Sequence, residues 1–155
     1  MEVPKRVLDR VYGSQPKDWR QHPNGGGWVY KTATVKDSVY LHATSIVGNY
    51  ASVGNSARVG EKTIWETNPP QIQGSRHLLT LYSPTQIAIG CHVYDIKEWL
   101  KRYRAIGRAK GYTKEQIAEY GLHLAHLAAL AKRLQTKNEE DEKLLNSTEH
   151  NDPRK

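Results

Sequence analysis

The sequence predicts an α+β domain in which a repetitive run of short strands precedes a β-hairpin and two C-terminal helices. Three observations carry this expectation. Counting from Val29 in steps of six, an aliphatic residue returns at Val35, Leu41, Val47, Val53 and Val59. Between residues 76 and 91, apolar positions alternate on either side of a Ser-Pro pair, the pattern of a hairpin. After Asp95, apolar residues recur at offsets of three and four, the helical spacing.

Taken in order, residues 1–27 are expected to form an N-terminal arm that caps the repeats, with Trp19 as an anchor. Gly25, Gly26 and Gly27 precede a strand rather than a helix, so they read as a tight turn and not as a phosphate-gripping loop. The repeats occupy 28–66. Four residues after each aliphatic stands a small or β-branched residue, namely Ala33, Val39, Ser45, Ala51, Ala57 and Thr63, and Gly48, Gly54 and Gly60 follow the last three aliphatics. A plain strand alternates with period two and a helix favours three and four. A sustained six therefore reads as short strands joined by corners, each aliphatic pointing inward.

Six uninterrupted hexads of this composition resemble the hexapeptide-repeat family, whose chains coil as a left-handed parallel β-helix of triangular section. The resemblance implies three hexads per coil, so that Val29 stacks on Val47, Val35 on Val53 and Leu41 on Val59. The full expectation is thus a short two-coil left-handed parallel β-helix followed by the hairpin and the two helices. NGGGWVYKTATV, the repeats and QIAIGCHVYDIKEWLKRY together also resemble small phage-encoded proteins that join a short hexad run to a hairpin and helices. That likeness implies accessory or counter-defence work in the host cytoplasm. Two coils leave open strand edges and a thin core. Caps from the arm, Trp28 and Trp65 are expected, as is assembly into a homo-oligomer, a trimer or a multiple of one.

Residues 67–136 form the second region. ETNPPQIQG reads as a loop from its proline pair and Gly74. Leu79, Leu81, Ile87 and Ile89 are the inward positions of the hairpin. Asp95 and Glu98 have the spacing of a capping box, and Ile96, Trp99, Leu100, Tyr103 and Ile106 make the buried face of the first helix. Gly111 stops it, and Thr113 with Gln116 starts a second helix whose seam is Ile117, Tyr120, Leu124, Leu127, Ala131 and Leu134. Residues 137–155 are acidic and poor in apolar residues, the composition of a disordered tail.

The formal net charge of +7 favours an anionic partner. The single cysteine, Cys91, excludes a disulfide framework and is expected to be a buried small hydrophobe in a reducing compartment. MEVPKRVLDRVYG lacks the apolar core of a secretory signal and no run is apolar enough to span a bilayer, so a cytoplasmic protein without a membrane partner is expected.

The strongest candidate for function is the first helix. Lys97, Lys101, Arg104 and Arg108 recur at offsets of four, three and four, which sets four cations on one stripe beside Trp99 and Tyr103. Arg102, Lys110 and Tyr112 lie close by in sequence. Arginine forks onto phosphate oxygens and aromatic rings stack on bases, so the stripe suits a nucleotide or a nucleic acid, and the phage resemblance implies as target a host immune nucleotide signal or a nucleic-acid-associated host defence protein. The competing reading is a solvated face that keeps the protein soluble. The other function class is a hexapeptide-repeat acyltransferase, in which His42 takes a proton from an acceptor; no sequence neighbour orients its ring, and no excursion loop interrupts the repeats. His123 and His126 lack a third metal ligand, and His92 and Cys91 point to opposite faces of a strand. A binding protein without catalytic residues, cofactor or metal is the expectation.

Overall fold

The computed structural model describes residues 2–54 and 56–150, with side chains described through 135. A short helix α1 (Lys5–Leu8) and a 3-10 turn (Pro16–Asp18) lead into β1 (Trp19–Gln21). The repeats supply β2 (Trp28–Tyr30), β3 (Thr34–Val35), β4 (Tyr40–Leu41), β5 (Ile46–Val47), β6 (Ser52–Val53), β7 (Arg58–Val59) and β8 (Ile64–Trp65). There follow β9 (Gln71–Gln73), β10 (Leu78–Ser83), β11 (Gln86–Ile89), β12 (His92–Asp95), α2 (Ile96–Ala109) and α3 (Lys114–His150).

The stacking expected from the six-residue beat is present. Val29 faces Val47, Val35 faces Val53 and Leu41 faces Val59 in parallel pairs, each eighteen residues on. The aliphatics are buried, as are the small corner residues from Ala33 to Thr63, because a larger side chain at a corner would hold the walls apart. Two corner residues carry hydroxyls, and both are satisfied inside. Ser45 donates to the Gly60 carbonyl, and Thr63 Oγ1 lies 2.8 Å from the same oxygen and 3.2 Å from Ser45 Oγ. Buried hydroxyls left unpaired would oppose folding.

The architecture as a whole corrects the expectation of a left-handed parallel β-helix with a hairpin attached. Among the described residues the fold is α+β with twelve strands in mixed, antiparallel and two-stranded parallel sheets, and the strand pattern is not a regular parallel β-helix. Parallel pairing is confined to strands of two or three residues. The arm enters antiparallel, Trp19 opposite Tyr30 and Gln21 opposite Trp28. A separate antiparallel sheet of four strands, ordered β12-β11-β10-β9, replaces the two-stranded hairpin. The physical reason is that six hexads end after two layers and leave unpaired backbone, which antiparallel segments on either side of the repeats pair or cover. β9 lies in the stretch expected to be a loop. Its prolines mark the approach, but Gln71-Ile72-Gln73 alternates and pairs with Thr80 to Leu78. The junction between sheet and repeats is made by backbone, with Gly60 N–H donating to the Tyr82 carbonyl at 2.8 Å.

α2 and α3 pack on this sheet. Trp99 is buried and donates its indole N–H to the Ile87 carbonyl at 2.7 Å. Tyr120, Leu124, Leu127 and Ala131 are buried along the expected seam, whereas Leu100, expected on the buried face of α2, is exposed. Asp95 stands at the N-cap of α2 without a side-chain cap bond, and Glu98 pairs instead with Arg102 at 3.1 Å, so that capping box is not formed. The second one is: Thr113 N–H donates to Gln116 Oε1 at 3.0 Å and Gln116 N–H to Thr113 Oγ1 at 3.1 Å. Gly107 lets the helices approach closely, since a Cβ there would stand 2.8 Å from Ile117 Cγ1. A smaller cluster of Val3, Val7, Trp19, Trp28 and Ile46 seats the arm against the repeats. Of the acidic segment expected to be a disordered tail, residues 137–150 have helical backbone as part of α3, and 151–155 lie outside the described residues. Among the described residues, no helix is long and apolar enough to cross a membrane.

Candidate functional site

Where α2, the start of α3 and the ends of β10 to β12 meet, the side chains do not fill the space. An aromatic cleft of about 270 Å³ remains, lined by Trp99, Tyr103, Ile106, Tyr112, Ile117 and Tyr120, and also by Arg76, His77, His92 and Lys110. Three of the eight expected site residues, Tyr103, Lys110 and Tyr112, therefore converge on one cavity. Tyr112 and Tyr120 meet edge to face with centroids 5.2 Å apart, and the Arg76 guanidinium lies 4.3 Å from the Tyr112 ring centroid. Desolvation, and secondarily the Tyr120 ring, hold the Tyr112 phenol above its ordinary pKa. It stays a neutral donor at physiological pH.

The wall carrying Arg76 and His77 is fixed from α3. Tyr120 Oη accepts from Arg76 N–H at 3.0 Å and from His77 N–H at 2.6 Å, and donates to the His77 carbonyl at 3.0 Å. Glu119, one residue earlier, accepts from the Ser75 hydroxyl and from Ser75 N–H at 3.0 Å, and its other contact is His123 at 2.9 Å. These Ser75 bonds, with His123 next, depress the Glu119 carboxyl below its ordinary pKa. Opposite, the β11–β12 turn passes through Gly90 at φ +57, and a Cβ on it would stand 3.5 Å from the His77 imidazole. Cys91, expected to be buried, is exposed on this turn, because the chain reverses there instead of continuing a strand into the core.

On the other side of Arg76, His77, Gly90 and Cys91 lies a second, more open and more polar cavity of about 470 Å³. Arg58, Tyr40, Ser38, Asn24 and Gln73 line it. Among the described residues no Asp or Glu lines either cavity.

The remaining expected residues stand elsewhere. Lys97, Lys101, Arg102, Arg104 and Arg108 are all exposed on α2 and line neither cavity. Arg104 lies 4.8 Å from the Tyr103 ring centroid. His42, the acyltransferase alternative, also lines neither cavity, but its ring is oriented. Thr44 Oγ1 is 2.8 Å from Nδ1, and Glu61 Oε1 is 3.8 Å from Nε2. His123 bonds Glu119, and among the described residues no cluster of three His, Cys, Asp or Glu could hold a metal ion.

Arg76, His77, Arg58 and Tyr40 were missed by sequence reasoning. Arg58 and Tyr40 had a signal, since they stand eighteen residues apart and so pair across β4 and β7 like the aliphatics beside them. Arg76 and His77 had none, because their placement depends on a tyrosine more than forty residues away. Compared with protein-family models, curated proteins and solved structures, the chain matches none of them.

Proposed function

We propose that the protein is a binding protein that captures a small anionic aromatic ligand of the nucleotide class, with the base in the aromatic cleft and its phosphate at Arg76 and Lys110. The observation that carries this reading is the aromatic cleft, lined by cations and, among the described residues, by no carboxylate. A base gains stacking energy on Tyr and Trp rings whatever its identity, and an arginine beside the Tyr112 ring supplies cationic N–H donors to a phosphate. About 270 Å³ lies just below the range of small-molecule sites, which matches one base and not a drug-sized ligand. In the counter-defence setting implied by the resemblance to phage-encoded proteins, such capture would withdraw a host nucleotide signal.

The test is thermal denaturation with ribonucleotides and, separately, with a short oligonucleotide. A nucleotide present at one hundred times its Kd should stabilise the fold by about 2.7 kcal/mol. Lys110→Glu, at an exposed position, should reduce that stabilisation without altering the melting of the free protein. Absence of a shift with every ribonucleotide overturns the reading. A shift only with the oligonucleotide, steeply weakened by salt and abolished by Lys101→Glu with Arg104→Glu, would transfer function to the exposed stripe of α2.

A further inference from the structure

Arg58 projects from β7 into the polar cavity with its guanidinium carbon 4.8 Å from the Tyr40 ring centroid. Its Nε is sealed from solvent and has no hydrogen-bond partner. Among the described residues no ion pair involves it. That sealed donor lies out of a ligand's reach, so an anion in the cavity meets Arg58 through its other guanidinium N–H groups, which have no hydrogen-bond partner among the described residues. The Tyr40 ring beside it restrains the guanidinium before an oxyanion arrives.

Arg76 borders both cavities. One of its donors is occupied by the Gly111 carbonyl at 3.1 Å, and the guanidinium's other N–H groups are uncommitted among the described residues. Arg58 and Arg76 thus face one compartment that also offers the neutral side chains of Ser38, Asn24 and Gln73, and no carboxylate among the described residues lines it. The aromatic cleft suits a flat ring, whereas the polar compartment suits an anion.

We propose that the polar compartment is a second phosphate subsite, so that the ligand carries two phosphate groups, the first held at Arg76 and the second at Arg58. This rests on the nucleotide reading of the aromatic cleft. Two phosphates can come from a nucleoside 5′-diphosphate or from a 5′-phosphorylated dinucleotide, and the shared chemistry is the pair of oxyanions beyond one base.

Titration calorimetry separates the possibilities. The intact chain is titrated with the four ribonucleoside 5′-monophosphates, the corresponding 5′-diphosphates and 5′-phosphorylated dinucleotides of the same bases. At least one two-phosphate compound should bind about tenfold more tightly than the monophosphate of its base. Preference between diphosphates and dinucleotides identifies the source. Arg58→Gln should abolish the gain and leave monophosphate affinity within about twofold. Ser38→Asp sets a carboxylate in the compartment from an exposed position, so it should abolish the gain even if Arg58→Gln proves unstable. Equal affinity for one-phosphate and two-phosphate compounds, or a gain that survives Ser38→Asp or a folded Arg58→Gln, overturns the subsite and leaves the aromatic cleft standing. Failure of the wild-type chain to bind any of these compounds overturns both.

Discussion

Tyr120→Phe deletes one oxygen and keeps the ring, which makes it the sharpest probe of how α3 holds the cleft together. The hydroxyl accepts two backbone N–H groups, from Arg76 and His77, and donates to the His77 carbonyl. Three hydrogen bonds at about 1 kcal/mol net each amount to about 3 kcal/mol. The freed groups are only partly buried, so water replaces part of what is lost and reduces the cost to about 2 kcal/mol. For a chain of this length, that lowers Tm by roughly 4–8 °C. The ring remains buried against Leu124 and Tyr112, so the slope of a urea transition should not change. Calorimetric melting with parallel nucleotide titration reads both consequences, because a segment 75–77 released from Tyr120 no longer presents Arg76 in a fixed place. A Phe variant that melts within about 1 °C of wild type and binds nucleotide equally well would refute the claim that this hydroxyl organises the wall.

Three further outcomes follow from the structure. Val53→Asp places a carboxylate where Val53 is fully buried against Val35, and urea denaturation should show a loss of several kcal/mol, about 3 or more, or no folded protein. Glu119 has a folded-state pKa below its ordinary value of 4.5, so it contributes stability above that value which is lost as pH falls through the folded pKa. Melting curves from pH 6 down to about pH 3 should therefore show wild type converging on Glu119→Gln as the advantage disappears. Lys101→Glu with Arg104→Glu should leave Tm within about 1 °C and mononucleotide affinity within about threefold, since both residues are exposed and line neither cavity.

What could be read from the sequence depended on whether a feature repeats locally. The stacked pairs from Val29 to Val59 and the α3 seam from Tyr120 to Ala131 follow from periodicity, and both were legible. The four-stranded antiparallel sheet was not, because β9 is three residues long and sits behind two prolines, so tertiary pairing with β10 outweighs the local turn chemistry. The basic stripe of α2 drew attention as a regular pattern, yet regular exposed charge is also what a solvated helix presents. Only Lys110, at the end of that helix, joins Tyr103 and Tyr112 at a cavity. The more telling cations, Arg58 and Arg76, stand singly on strands and loops and acquire meaning through what folds against them. Leu100 shows the converse error: helical spacing nominated it for the buried face, but the sheet covers only the side around Trp99.

The eighteen-residue register fixes the length of the repeat segment more tightly than its composition. Deleting any one residue between Leu41 and Val47 would bring Gly48 opposite Val29, Gly54 opposite Val35 and Gly60 opposite Leu41. Every inward aliphatic would then face a glycine, and the three valines that had filled those places would turn away from the centre together. Substitutions at outward positions such as Tyr50, which is 82% exposed, touch no such partner. Over evolutionary time this stretch is therefore free to change its surface residue by residue, while gains or losses of chain within it must come in whole multiples of its own period.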